Sequence, residues 1–163
     1  MQTHTCTHQV CLARKHDLFP VFDSAYQGLA RGLNEDVAVV KKFLDAGLEF
    51  AVCSSCSKNF GLYGERVGSL FVACAAQDVA GRVASRCKMK IRTNYSVPPL
   101  FGAKIVVAIL SDPALRGRWE QVCCHLCLCV FIHACCATPA CIPTCWDTLV
   151  TRCNTLKQAV TRL

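Results

Sequence analysis

The chain has 163 residues, which suggests one domain, long enough to bury a core but short for an enzyme with a large cofactor. Its 18 Lys and Arg against 11 Asp and Glu give a net charge of +7. No basic run marks a nucleic-acid surface, and a phosphate-bearing small molecule suits the charge as well as a polyanion. The chain has 15 cysteines, and the sequence before them lacks the pattern of a signal peptide. A secreted disulfide scaffold is therefore not expected.

Residues 18–121 alternate between short apolar runs typical of buried strands and amphipathic stretches typical of helices. The predicted strands are residues 18–22, 50–53 and 69–74. The predicted helices are residues 34–46, capped by Asn34 or Asp36, then residues 78–92, a stretch that ends near Leu110, and one opened by Asp112 and Pro113. This alternation predicts an α/β fold with a mainly parallel sheet flanked by helices.

The two ends of the chain do not follow this pattern. Residues 3–8 alternate Thr with His or Cys, and residues 123–136 alternate Cys with Leu, Val and other residues. Translated CA and TG dinucleotide repeats have this appearance. We therefore hypothesise that residues 1–17 are an irregular, non-native extension. Residues 122–146 are interpreted as a Cys-rich, low-complexity insert from a retained intron.

Residues 147–163 resume an amphipathic helix pattern, and Trp119 to Gln121 would run into it if residues 122–146 were absent. Sequencing the transcript tests the intron hypothesis.

One segment, residues 55–68, carries several groups suited to a phosphorylated aldehyde. Lys58 lies on a loop just after a predicted strand, where a partly desolvated amine can form a Schiff base. Arg66 offers a planar fork for a phosphate, and Ser55 and Ser57 add hydroxyl donors. The alternative is ordinary, since lysine and arginine on a surface loop are usually just solvated.

Two further segments add charged groups at the ends of predicted elements. Asp23 ends the first strand and can pair with a protonated ring nitrogen, and the Tyr26 hydroxyl can bond a phenolic oxygen. Arg92 ends a predicted helix and can hold a carboxylate through two parallel hydrogen bonds. The alternatives are a turn at Asp23 and a favourable helix-dipole contact for Arg92.

Together these segments resemble the aspartate and aromatic aminotransferases, which are class I, fold-type I enzymes dependent on pyridoxal 5'-phosphate. Residues 55–68 are similar to the family's cofactor-lysine motif over fourteen positions. Residues 22–28 resemble its Asp-x-Ala-Tyr motif. Residues 91–99 resemble its Arg-x-x-Tyr-Ser-Asn-Pro-Pro segment, with a departure at Val97, where Asn is usual.

The resemblance implies a role for each candidate residue. Lys58 is the catalytic lysine that binds the cofactor aldehyde and shuttles a proton, while Ser55 and Arg66 hold the cofactor phosphate. Asp23 pairs with the pyridine nitrogen and Tyr26 with the phenolic oxygen. The list is completed by Arg92, which would bind the side-chain carboxylate of a dicarboxylic substrate in the neighbouring subunit.

The implied function is transfer of an amino group between an amino acid (aspartate, glutamate or aromatic) and a 2-oxo acid. Family members are homodimers with shared sites, so a homodimer is expected of the complete protein. The match covers the later part of the large domain, and the chain is expected to be an incomplete large domain. The expected location is cytoplasmic, with mitochondrial as the alternative, and an inactive pseudogene-like or mis-spliced remnant is the rival interpretation.

Two other interpretations have weaker support. Zinc could use His4, Cys6, His8 and Cys11, or the cysteines of residues 123–136, but the ligand spacing is irregular. Residues 122–142 carry no charge and have the length of a membrane span, yet they contain two histidines and a proline. We therefore expect no metal site, no membrane insertion and no nucleic-acid partner.

Overall fold

The structure, a computed structural model, describes residues 2–123, with side chains from residue 8 onward. Its elements in chain order are α1 (Gln2–Lys15), β1 (Val21–Ser24), α2 (Ala38–Asp45), β2 (Phe50–Ser55), β3 (Gly68–Ala73), α3 (Gln77–Asn94), α4 (Phe101–Ser111) and α5 (113–123). The helix predicted at residues 147–163 and most of the predicted insert lie outside the described residues.

The chain forms two compact units that interleave along the sequence. The first comprises Met1–Ser24, Val37–Ser54 and Ser69–Pro99. The second comprises Ala25–Asp36, Ser55–Gly68 and the described residues from Leu100 onward. The sheet with α1, α2 and α3 therefore belongs to the first unit, whereas the predicted cofactor-lysine loop belongs to the second.

The sheet of the first unit has the order β1-β2-β3. β1 and β2 are parallel, with Val21 opposite Ala51 and Ser24 opposite Ser54. β3 follows β2 through a loop that contains no helix, and the sheet is mixed. The predicted α/β fold is confirmed.

Three phenylalanines hold α2 against the sheet. The rings of Phe22 and Phe43 lie 5.1 Å apart and those of Phe22 and Phe50 lie 5.6 Å apart, both edge to face. Phe43 and Phe50 are buried. Edge-to-face pairs add to the stabilisation from burial, because the ring edge of one faces the electron-rich face of the other.

The expectation that residues 1–17 are irregular is wrong for their secondary structure, because Gln2–Lys15 form α1. Val10 and Ala13 lie one turn apart, and both pack against the phenylalanine cluster. The Arg14 guanidinium also donates a hydrogen bond to the carbonyl of Ala46, just after α2. These tertiary contacts, and not the repeat-like sequence, account for the helix. A non-native origin of the segment stays a prediction.

The predicted cap of α2 is also wrong. The helix begins at Ala38, after Val37, and neither Asn34 nor Asp36 caps it. The Asp36 carboxylate instead accepts the backbone N–H groups of Gly28, Ala30 and Arg31, at 2.8, 3.2 and 3.0 Å. Three donors from one loop satisfy a carboxylate better than the one or two available at a helix start.

The other elements begin and end within a few residues of their predicted positions. In the second unit, α4 and α5 pack around residues 55–68. The buried residues of this core are Phe60, Leu62, Ile105, Ile109, Leu115, Trp119, Val122 and Cys123. α5 begins as predicted after Asp112, whose carboxylate accepts the N–H groups of Ala114 and Leu115 at 2.8 and 3.0 Å.

Candidate active site

Lys58 lies in a tight turn immediately after β2. Residues 57–60 form the turn, and the Gly61 N–H donates to the Lys58 carbonyl at 3.2 Å. Gly61 has φ +63°, a left-handed conformation that glycine adopts without steric cost. The turn ends the strand and leaves the Lys58 side chain half-buried.

Tyr26 meets this lysine within the second unit. The Lys58 Nζ lies over the Tyr26 ring, 5.1 Å from its centroid, and Tyr26 is exposed. An ammonium group over an aromatic face is attracted by the negative electrostatic potential of that face. Two side chains separated by 32 residues, both predicted to contact one cofactor, are thus brought together.

Ser55 and Arg66 lie at the two ends of the same loop. The Cys56 N–H donates to the Val67 carbonyl at 3.1 Å, so the neighbouring Ser55 and Arg66 flank one backbone hydrogen bond. The Ser55 hydroxyl accepts the N–H of Ser57 at 3.3 Å. A hydroxyl and a guanidinium where the two ends of a loop meet are groups that can bind a phosphate.

Arg66 is exposed and has φ +52°, an uncommon conformation for a residue with a Cβ. Its guanidinium donates to the Tyr63 carbonyl at 3.1 Å, which closes the turn of residues 63–66. Behind this turn, α4 comes so close at Gly102 that an added Cβ would lie 2.7 Å from the Cβ of Glu65. The backbone that carries Arg66 therefore rests directly on α4.

Asn59 and Trp119 hold the Lys58 turn through hydrogen bonds, and the sequence indicated a functional role for neither. Asn59 is buried, and its side-chain amide donates to the Gln27 carbonyl at 3.3 Å. The Trp119 indole N–H donates to the Asn59 carbonyl at 2.8 Å, and the indole stacks on Phe60 at 4.6 Å between centroids. Only the position of Asn59 next to Lys58 could have drawn attention to it.

The two remaining candidates, Asp23 and Arg92, lie in the first unit. Asp23 is exposed on β1, opposite Cys53 of β2. Arg92 is exposed in the last turn of α3, as its predicted helix-end position requires. The departure from the family motif, Val97, is also exposed. The roles of Asp23 and Arg92 at the cofactor and substrate stay predictions.

The thiol of Cys56 lies two residues before Lys58 and is partly shielded from solvent. Burial in apolar surroundings raises the pKa of the half-buried Cys56, because the thiolate loses hydration there. A thiol with a raised pKa stays protonated at neutral pH and reacts slowly.

Among the described side chains, no group of three or more His, Cys, Asp or Glu is placed to hold a metal ion. The helices described are each too short or too polar to cross a bilayer. Of the zinc candidates, His4, Cys6 and the residues after Cys123 lie outside the described side chains, as does most of the apolar stretch 122–142.

The sequence profile of the family described as aminotransferase class I and II matches residues 7–122, well over half of the chain. The chain belongs to this aminotransferase family. The match includes α1 from residue 7 onward, although residues 1–17 were predicted to be non-native.

Curated aminotransferases match about two thirds of the chain at high identity. The aspartate aminotransferase of Pseudomonas aeruginosa is 51% identical over 102 residues, which are 63% of this chain and 26% of the relative. The aromatic-amino-acid aminotransferase of Escherichia coli is 45% identical over 108 residues, 66% of this chain and 27% of the relative. The chain thus spans about a quarter of the length of these aminotransferases.

Solved aminotransferase structures share the fold. An aromatic-amino-acid aminotransferase from Burkholderia pseudomallei, covalently bound to pyridoxal phosphate, matches with a TM-score of 0.75 and 41% identity. The match covers 77% of this chain and 32% of that structure. The fold is therefore that of part of a fold-type I aminotransferase. The family is one of aminotransferases, and one of the matched structures carries pyridoxal phosphate bound covalently.

Proposed function

We propose that this chain is part of a transaminase that uses pyridoxal 5'-phosphate to move an amino group between aspartate, glutamate or an aromatic amino acid and a 2-oxo acid. The observation that supports this best is the position of Lys58. Its amine lies over the Tyr26 ring, in a loop whose ends carry Ser55 and Arg66.

The chemistry of these donors suits the cofactor. Lys58 supplies an amine for its aldehyde, and Tyr26 a hydroxyl for its phenolic oxygen. Ser55 and Arg66 supply a hydroxyl and a guanidinium for its phosphate. When bound, pyridoxal phosphate supplies an aldehyde that condenses with amines and a ring that accepts electrons from the substrate.

The residues then divide the work. Lys58 holds the cofactor and afterwards moves a proton at the substrate α-carbon. The Tyr26 hydroxyl donates to the phenolic oxygen, which keeps the ring oriented. Asp23, placed on the ring nitrogen, would keep that nitrogen protonated and so strengthen the ring as an electron acceptor.

We propose that Arg92 selects the substrate from the second subunit of a homodimer. An exposed guanidinium at a helix end is free to form a bidentate pair with a carboxylate of another chain. A dicarboxylic amino acid provides that carboxylate, and an aromatic substrate would require Arg92 to move aside.

For the location of the protein we propose the cytoplasm, with the mitochondrion as the alternative. Among its relatives, one from rice is named cytoplasmic and one from Arabidopsis thaliana chloroplastic.

The decisive experiment adds pyridoxal phosphate to the purified chain and follows its visible absorbance. We expect the wild type to develop an absorbance that Lys58→Ala abolishes, because only the Lys58 amine lies in the cofactor loop. Lys104→Ala is the matched control, since Lys104 is an exposed lysine on α4 of the same unit. Equal absorbance in Lys58→Ala and the wild type would refute the proposed site.

The second candidate is an inactive remnant of such an enzyme. The repeat-like cysteines of residues 123–136 and the family departure at Val97 favour it. The chain also spans only 26% of the length of a related aminotransferase. We therefore expect little transfer from glutamate or aspartate to an oxo acid by these 163 residues alone, and robust turnover would exclude the remnant.

A further inference from the structure

We infer that Asn59 and Trp119 are positioning residues that hold the Lys58 amine at the Tyr26 ring. The inference rests on the proposed function, because it assigns Lys58 to the cofactor. It concerns Asn59, the residue after the lysine, and Trp119, which binds its carbonyl, and it assigns neither a contact with the cofactor.

The first support is the indole of α5. Trp119 is buried, and its N–H donates at 2.8 Å to the carbonyl of Asn59. The same indole stacks on Phe60, with an angle of 11° between the ring planes. One side chain therefore restrains both residues that follow Lys58, through a directional bond and through a flat contact.

The second support is the Asn59 side chain, which connects the lysine turn to the tyrosine loop. Its Nδ2 donates at 3.3 Å to the carbonyl of Gln27, the residue directly after Tyr26. A carbonyl can only accept, so this bond fixes which end of the amide faces Gln27. The other end, Oδ1, is buried and has no hydrogen-bond partner among the described residues.

That Oδ1 has no partner among the described residues is informative, because burying an unsatisfied acceptor is unfavourable. An apolar side chain at this position would avoid that cost but would not join the two loops. The Asn59 side chain therefore serves to place Lys58 relative to Tyr26 and not to stabilise the core.

The joined ends of the loop and the Lys58 turn within it have separate supports. Ser55 and Arg66 flank the hydrogen bond between Cys56 and Val67, whereas Lys58 depends on the contacts of Asn59. Removing a contact of Asn59 should displace the Lys58 amine and leave Ser55 and Arg66 in place. Such a change should affect the binding of a ligand that carries an aldehyde more than that of a ligand with the same ring and phosphate but no aldehyde.

The experiment compares pyridoxal phosphate with pyridoxine phosphate, which has an alcohol in place of the aldehyde and cannot condense with an amine. Trp119→Phe keeps an aromatic ring but removes the N–H donor. In the full chain we expect the fraction of Lys58 trapped by borohydride with pyridoxal phosphate to fall about fivefold, the effect of losing one ordinary hydrogen bond. Affinity for pyridoxine phosphate should not change.

Asn59→Ala removes the bond to Gln27 and should show the same difference, which keeps the inference testable if Trp119→Phe does not fold. Ile109→Val removes one methylene from the same core and should affect neither ligand. The inference is overturned if the Trp119 and Asn59 variants match the wild type, or lose both ligands in equal proportion. If wild-type Lys58 is not trapped at all, the proposed function itself fails.

Discussion

Among single residues, Cys53 and Cys56 lie three positions apart in the sequence but differ in how far their thiols are buried. Cys53 is exposed on β2, whereas Cys56 is half-buried where the strand ends. The raised pKa of Cys56 means that the folded chain binds the thiol proton more tightly than the unfolded chain does.

This difference predicts a loss of stability in alkaline solution. As the pH rises above the ordinary pKa of a thiol, unfolded chains ionise at Cys56 while folded chains do not. Unfolding is then increasingly favoured until the raised pKa is passed. We expect Cys56→Ala to reduce the fall in the urea midpoint between neutral and alkaline pH. Cys53→Ala is the control, and an equal effect of both substitutions would contradict the prediction.

Whether a candidate position could be proposed from the sequence depends on how close in the sequence its partners lie. Lys58 and Arg66 stand out because their chemistry and spacing are visible within one short segment. The contact between Asn59 and Trp119 joins residues 60 positions apart, and no periodic pattern announces it. In the sequence, a side chain that makes one hydrogen bond to a distant residue cannot be distinguished from an ordinary polar or core residue.

The same distinction holds at the scale of helices and strands. β2 was predicted correctly because Phe50 and Ala51 are both buried, which gives the continuous apolar run of a strand covered on both faces. The start of α2 was mispredicted because Asp36 serves a loop eight residues upstream. The helical state of α1 depends on the phenylalanine cluster, which no local pattern reveals.

The contact of α4 with the Arg66 turn gives a prediction at this scale. Gly102→Ala gains helix propensity, but its Cβ would overlap with Glu65 and press on Val67 at 3.2 Å. We expect a net destabilisation of about 1–3 kcal/mol, as is typical of an overpacked core. The measurement is the free energy of unfolding in urea.

Gly117→Ala is the matched control, because it lies in α5 with nothing within 4 Å of the added Cβ. Alanine there should stabilise the chain by about 0.5–1 kcal/mol through helix propensity alone. Two identical substitutions should thus have opposite signs. A stabilising effect of Gly102→Ala would show that α4 does not rest on the turn that carries Arg66.

At the scale of the whole molecule, β3 shows that the first unit leaves apolar surface uncovered. Neighbouring strand residues point to opposite faces, yet Leu70 and Phe71 are 55% and 60% exposed. Apolar residues on both faces are typical of a strand inside a larger α/β sheet. Since the chain spans 26% of a related aminotransferase, β3 is suited to a more extensive sheet, and we expect the 163 residues alone to be poorly stable.

The intron hypothesis can be examined at the same scale, because α5 reaches beyond its proposed boundary. Val122 and Cys123 were assigned to the insert, but both are buried in the core of the second unit, and the family match runs to residue 122. Deleting residues 122–146 would put Asp147 and Thr148 in their places. Deleting residues 124–146 would keep both core side chains.

We therefore expect the longer deletion to be less stable than the shorter one. Each polar group buried without a partner costs about 1–3 kcal/mol in proteins, and a carboxylate at the position of Val122 costs more than a neutral group. Urea denaturation of the two shortened chains measures the difference. Equal stability would mean that positions 122 and 123 are not core positions once the insert is removed. A spliced transcript that still encodes Cys123 to Cys145 would instead end the intron hypothesis.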